Sequence, residues 1–381
     1  MTEPEGKVHG LDGQLVAPDW PVLEQSEVEK VLERFPQTGG QVRILTYSPR
    51  PFSAASVVQT RGGKVFVKRH HRSVRNATSL MEEHQWMRYL SGRTALVKAP
   101  LADVDGQTVV TSEEWTYEVH PHGTGVDVYQ EAQSWTPFLS VGHAKNAGRA
   151  LAKLHAASEE YEGPERGVAP LITTFRIFAS ENPWDEMVKY AAARPALRDY
   201  LSKRDFLKET RETFAGFYEK LQPYLGVFQS LWTHNDFHGS NLLWSSAADD
   251  AEVTDIIDFG LSNRTNAIHD IGTAIERSGV EWLRIDEGSE DVFHWEQILA
   301  FLGGYEELRR LSQDERRALA ALLPMVHAEF ALTETDYFLR SLKSEEKADV
   351  AYQIYFLGHA RWFDEPAGKK LLGLMEDWAE K

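Results

Sequence analysis

The chain has 381 residues, 42% of them hydrophobic, which suits one or two domains with a substantial core. A formal net charge of -17 argues against a nucleic-acid partner, because phosphate backbones are held by clustered Lys and Arg. The absence of Cys excludes disulfides, thiolate metal sites and cysteine nucleophiles. The acidic start, Met1 to Gly6, carries no apolar segment of a signal peptide, and no uncharged apolar run reaches transmembrane length. A cytoplasmic protein without a membrane partner is expected.

In chain order, residues 1–24 are polar, dotted with Gly and Pro, and read as an N-terminal extension. Ser26-Glu27-Val28-Glu29 has the pattern of a capping box opening a short helix with Val28, Val31 and Leu32 on one face. Val57-Val58 and Val65-Phe66-Val67 flank Arg61-Gly62-Gly63-Lys64, a hairpin turn between two strands. A helix over Ser79–Leu90 follows, then strands at Thr108–Thr111 and Tyr117–Val119. Pro121-His122-Gly123-Thr124-Gly125 breaks the chain and marks a boundary between lobes at 25–120 and 121–381. Beyond it the pattern is helical: Ala147–His155, a helix capped by Asn182 with Pro183 at its first position, the Phe214, Phe217, Tyr218, Leu221 stripe, and the Ser312–Glu315 capping box. One β-rich island interrupts these helices, Asn241–Trp244 and Val253–Phe259. The fold class is therefore α+β, a small antiparallel β lobe followed by a larger, mainly helical lobe.

The informative stretch is Thr233-His234-Asn235-Asp236-Phe237-His238-Gly239-Ser240-Asn241, followed by Asp255-Ile256-Ile257-Asp258-Phe259-Gly260. It offers a loop carboxylate, an Asn beyond a Gly turn, and a second carboxylate ending an apolar strand. Phosphoryl transfer needs such parts: a carboxylate to orient a hydroxyl and take its proton, and oxygen ligands for a divalent cation that bridges phosphates. Asp236 suits the first role, Asn241 with Asp258 the second.

The D-x-x-x-x-N spacing of Asp236 and Asn241, with Asp258-Phe259-Gly260 behind it, resembles the catalytic and metal loops of protein kinases. The H-x-D-x-H-x-x-N context is more similar to the aminoglycoside phosphotransferase, choline kinase and homoserine kinase superfamily, where Gly normally stands at the position of Asn235. The resemblance covers roughly residues 25–335. It implies a protein-kinase-like two-lobed fold, ATP or GTP with Mg²⁺ as cofactors, and a small hydroxylated molecule as acceptor. It also implies that Lys68, at the end of Val65-Phe66-Val67, meets the nucleotide phosphates and pairs with Glu83, or with its neighbour Glu82. Ser53 and Ser56 stand where family members place a Gly-rich turn over the phosphates, and hinge backbone near Glu118 to His120 is expected to meet the base.

Single residues admit plainer readings. His234 and His155 suit hydrogen-bonded scaffold roles, and Asp270 an N-cap that braces the catalytic loop. His238 divides evenly between scaffold and contact with the acceptor. Glu276, Trp282, Glu329 and Glu334 fall in the regions that supply acceptor contacts in the family, alongside Arg277 and Asp336. Their carboxylates suggest a cationic acceptor, such as an amino alcohol, amino sugar or aminoglycoside. Two rival functions are a protein Ser/Thr kinase and a nucleotide-binding scaffold. The first needs an activation segment, for which the interval from Gly260 to Asp270 is short; the second is disfavoured by the presence of Lys68, Asp236, Asn241 and Asp258 together.

Overall fold

The computed structural model describes residues 18–48, 50–132, 135–287 and 291–381. A five-stranded antiparallel sheet of order β1-β2-β3-β5-β4 forms the small lobe, from β1 (Arg43–Tyr47), β2 (Ala54–Thr60), β3 (Gly63–His71), β4 (Val110–Ser112) and β5 (Trp115–Pro121). The β2–β3 hairpin turns through Arg61 and Gly62, as its sequence predicts. Gly63 has φ +118, which L side chains rarely adopt, and a Cβ on Gly62 would stand 2.0 Å from the Gln37 carbonyl oxygen. Helix α1 (Gln25–Leu32) packs Val28, Val31 and Leu32 with Val58, Val65, Val67 and Val119 in one apolar cluster. Its cap lies two residues earlier than the sequence pattern suggests. Glu24 is the N-cap, its N–H donating to Glu27 Oε2 at 3.1 Å, while Ser26 sits inside the helix.

Helix α2 (Ala77–Ser91) belongs by sequence to the small lobe but packs into the core of the large one. Trp86 lies 5.5 Å from Trp232 and 5.4 Å from Phe259, ring centre to ring centre. This couples the helix to the segment that carries Asp258.

The large lobe contains α3 (Val141–Ser158), α4 (Pro183–Ala192), α5 (Pro195–Leu201), α6 (Phe206–Leu221) and α7 (Ala267–Gly279). It continues with α8 (Trp295–Glu306), α9 (Gln313–Leu322), α10 (Ala328–Tyr337), α11 (Glu345–Val350), α12 (His359–Trp362) and α13 (Pro366–Ala379). Helices α3 and α8 cross at contact distance: a Cβ on Gly148 would meet the Phe301 carbonyl at 2.0 Å, and one on Gly304 the Lys145 carbonyl at 2.0 Å. The Asn182 and Ser312 caps form as predicted, with side chains accepting from Asp185 N and Glu315 N.

Two short hairpins carry the loops of interest. One, β7 (Leu242–Trp244) with β8 (Val253–Ile256), is the predicted island. The other, β6 (Ser230–Thr233) with β9 (Asn263–Asn266), is not visible in the sequence, because Asn263-Arg264-Thr265-Asn266 lacks the apolar alternation of a half-buried strand. Among the described residues no helix is long and apolar enough to cross a membrane.

Candidate active site

The loop that carries Asp236 leaves β6 through a backbone conformation that few residues tolerate. Asn235 has φ +60, the left-handed region open to Gly and, next best, to Asn. This accounts for Asn where related sequences carry Gly. The side chain adds local bonds, accepting from Thr233 Oγ1 at 2.9 Å and Thr265 Oγ1 at 3.0 Å. Asp270, in the first turn of α7, accepts from the backbone N–H of His234 at 3.0 Å and of Asn235 at 2.7 Å, and meets His155 Nε2 at 2.9 Å. It braces the loop, but the N-cap of α7 is Asn266. Asn235→Ala and Asn235→Gly lose the same side-chain bonds, so they differ mainly in backbone strain. Thermal denaturation should find the Ala variant less stable by about 1 kcal/mol.

Two cavities meet beyond this loop. The larger, about 500 Å³, lies between the lobes and is lined by Phe66, Met87, Glu118, Pro121, His122, Leu243 and Ile256. The smaller, about 190 Å³, enters the large lobe between Phe52, Trp135, Asp236, His238, Arg277, Phe330, Glu334 and Tyr355. Arg50, Ser53, Lys68, Asn241 and Asp258 line both. The junction is thus built from charged and amide groups, with an elongated apolar-walled cleft on one side and an aromatic chamber on the other.

At the junction Lys68 Nζ donates to Asp258 Oδ1 at 2.8 Å. Burial opposes the Lys68 ammonium, but Asp258, Glu118 and Glu83 more than offset it and hold its pKa above the usual value. Burial likewise raises Asp258, and Lys68 more than reverses that. Asp258 has φ +58, a strained position for a non-glycine residue. The segment around it is pinned by two buried guanidiniums: Arg75 Nη2 donates to the Gly260 carbonyl at 2.8 Å and Arg166 Nη1 to the same oxygen at 3.1 Å.

Asp236 faces the aromatic chamber. Its Oδ1 lies 3.4 Å from Arg277 Nε and 3.6 Å from His238 Nε2. Burial would raise its pKa, but His238, Arg277 and His234 outweigh it, so the group is ionised far below neutrality. Asn241 Nδ2 donates to the Asp236 carbonyl at 2.9 Å and to Oδ2 at 3.1 Å, which leaves its Oδ1 as the acceptor offered to the junction.

Residues 51–311, well over half of the chain, match the family model described as the phosphotransferase enzyme family. The chain belongs to this family. It is an ATP-dependent small-molecule kinase by class. None of the curated protein sequences matches significantly. Among solved structures, similarity extends to a microcompartment-associated aminopropanol kinase, with a TM-score of 0.61, 17% identity, and coverage of 91% of this chain and 99% of that one. An amicoumacin kinase is similar with a TM-score of 0.55 and 15% identity, covering 87% and 93%. A spectinomycin phosphotransferase gives a TM-score of 0.55 at 13% identity, covering 95% and 99%. At these identities the likeness speaks to the shared protein-kinase-like fold.

Within this phosphotransferase the structure brings Lys68, Glu83, Ser53, Glu118, His120, Asp236, His238, Asn241, Asp258 and Glu334 to the two cavities and leaves Ser56, Glu276, Trp282 and Glu329 out of both. Ser56 is fully buried on the opposite face of β2, because strand alternation turns Ser53, Ala55 and Val57 toward the cleft. Lys68 bonds Asp258 and not Glu83, which accepts from Arg166 Nη2 at 3.4 Å; Glu82 lies 3.9 Å from Arg166 Nε. Glu118 and His120 lie inside β5, where the Val119 carbonyl accepts from Leu101 N at 2.8 Å, and both residues line the larger cavity. The Glu118 carboxylate bonds His70, His84 and His120.

Three expected acceptor residues do not line the chamber. Glu329 is taken up by the 174–177 loop, accepting from Arg176 N and Ile177 N at 2.7 Å each. Trp282 is buried against His359. Glu276 faces two histidines. Conversely, sequence reasoning missed Arg50, Trp135, Phe330 and Tyr355, and noted Arg277 without a role. Burial raises the Glu334 carboxyl to about 8. A carboxyl raised on folding contributes stability that is fully present below its unfolded pKa and is lost as pH rises through the folded value. Wild type should therefore lose stability relative to Glu334→Gln between about pH 4 and 8, measured by denaturant unfolding across pH.

Proposed function

We propose that this kinase moves the γ-phosphoryl group of ATP onto a hydroxyl of a small acceptor that also carries an amine, an amino alcohol or single amino sugar. The observation that carries the reading is the junction, where the Lys68–Asp258 pair of the interlobe cleft adjoins the Asp236 carboxylate of the aromatic chamber. A nucleotide in the cleft would place its phosphates against Lys68, Arg50 and Ser53. Asp236, ionised and partly enclosed, would hold the acceptor hydroxyl and take its proton.

A divalent cation fits the residues present. Asp258 and the Asn241 Oδ1 are hard oxygen donors, which suit Mg²⁺ better than nitrogen-preferring metals. Such an ion neutralises charge developing on the phosphates.

Acceptor size and charge are argued from the chamber. A volume of about 190 Å³ falls below the roughly 300–1,000 Å³ of drug-sized sites, which favours a small amino alcohol over a multi-ring aminoglycoside. Phe52 and Tyr355 supply aromatic faces, Trp135 and Phe330 face the Arg277 guanidinium, and Glu334 adds a carboxyl to that of Asp236. An ammonium group is attracted by both, and its arrival makes ionised Glu334 favourable again. The similarity in fold to an aminopropanol kinase agrees with this choice.

Nucleoside-diphosphate release with a panel of hydroxylated compounds tests the reading. Small amino alcohols should be used with higher kcat/KM than the same alcohols lacking the amine. Equal use of neutral polyols would refute the amine, and acceptor-independent turnover would refute the small-molecule acceptor. The protein-kinase alternative has little support, since β9 and α7 follow Asp258 within a few residues and leave no activation segment.

A further inference from the structure

Helix α7, the N-cap of α10 and the first residue of α12 bring together Glu276, His327 and His359, outside the two cavities. Glu276 Oε1 lies 3.1 Å from His359 Nδ1 and 3.5 Å from His327 Nδ1, and one donor atom from each residue falls within 4.8 Å of the others. All three are buried, at 3%, 3% and 6% exposure for Glu276, His359 and His327. Yet neither Glu276 carboxylate oxygen has a well-formed hydrogen bond among the described residues. A buried carboxylate left unsatisfied between two imidazole nitrogens calls for a further partner at that point. Donors about 2.0–2.1 Å from one tetrahedral ion stand roughly 3.3–3.4 Å apart, and the two Glu276–imidazole separations of 3.1 and 3.5 Å bracket that spacing.

We propose that Glu276, His327 and His359 form a two-histidine, one-carboxylate site for a borderline divalent transition metal, best fitted by Zn²⁺, separate from the cation site at Asp258. Nitrogen and carboxylate donors in this ratio suit zinc and are unsuited to Mg²⁺.

The surroundings hold the donors in place. Trp282 stacks on the His359 ring at 3.7 Å and 2°, and its Nε1 donates to the Glu276 carbonyl at 2.9 Å. Arg277, the cation beside the cluster, approaches Oε2 of Glu276 at 3.7 Å and shares its charge with Asp236, which leaves Oε1 to the imidazoles. The ion would clamp the three helices and fix Arg277 against Asp236. The other His-carboxylate cluster lacks this character: His84, His120 and His70 each meet Glu118 in well-formed bonds of 2.7–2.8 Å, so that group is satisfied without a metal.

Untagged full-length protein, stripped with chelator, should bind one equivalent of Co²⁺ with the visible absorption of a tetrahedral site, bleached by Zn²⁺. His327→Gln and Glu276→Gln should weaken that binding at least about 100-fold. Asp258→Asn and His120→Gln should leave it intact. In wild type and in Asp258→Asn, Zn²⁺ should also raise the melting temperature, which needs no folded cluster variant. Absence of stoichiometric binding to wild type overturns the proposal. So does binding that survives His327→Gln, or binding that is lost in Asp258→Asn or His120→Gln.

Discussion

Asp236→Asn should reduce phosphoryl transfer by about 10²- to 10⁴-fold, the usual contribution of a general base, while magnesium-nucleotide binding survives. The change is nearly isosteric, and the new amide oxygen can still accept from Asn241 Nδ2, which now donates to the Asp236 carboxylate at 3.1 Å. It removes negative charge beside Arg277 and His238, but Arg277 keeps Glu276 at 3.7 Å. The fold and the interlobe cleft should therefore persist. Steady-state kinetics with calorimetry of a non-hydrolysable ATP analogue separates the effects. Lost nucleotide affinity with retained turnover would place Asp236 in the metal site and reverse the assignment.

Asp258→Asn should damage binding and turnover together. The substitution takes a charged oxygen donor from the divalent cation and leaves the Lys68 ammonium, now 2.8 Å from Asp258 Oδ1, without its carboxylate. Removing one such electrostatic contact costs about 10²- to 10³-fold in turnover. The stability cost should stay within about 1 kcal/mol, because the Asp258 side chain is 38% exposed and the pair is screened by solvent. A variant that binds magnesium-nucleotide normally would contradict the role given to Asp258. One that simply unfolds would show the pair to be structural.

The residues most legible in the sequence are those whose spacing is set by one local structure. Asp236, Asn241 and Asp258 sit on a single hairpin and its flanking loops, so their order along the chain is also their order in space. Lys68 was legible because Val65-Phe66-Val67 followed by Lys resembles the family strand whose Lys meets the phosphates. The chamber walls were not. Trp135, Phe330 and Tyr355 come from distant segments, and an aromatic facing a cavity has the same periodicity as one facing the core.

Two errors have a plainer geometric cause. Glu329 and Glu334 stand five residues apart on α10, about 140° around the helix axis, so one chamber was never open to both. The Lys68–Glu83 pair failed because Arg166, from a loop with no periodic signal, occupies Glu83. Asn235 shows the reverse case, in which an apparent departure from the family pattern becomes intelligible once φ is known to be +60.

Mass spectrometry of the acceptor after incubation with γ-¹⁸O-labelled ATP and Mg²⁺ tests the two-chamber account most directly. Wild type should place the label on the hydroxyl of a small amino alcohol, and Asp236→Asn should leave it in the nucleotide. Label found on a protein side chain, or transferred equally well by Asp236→Asn, would contradict the account.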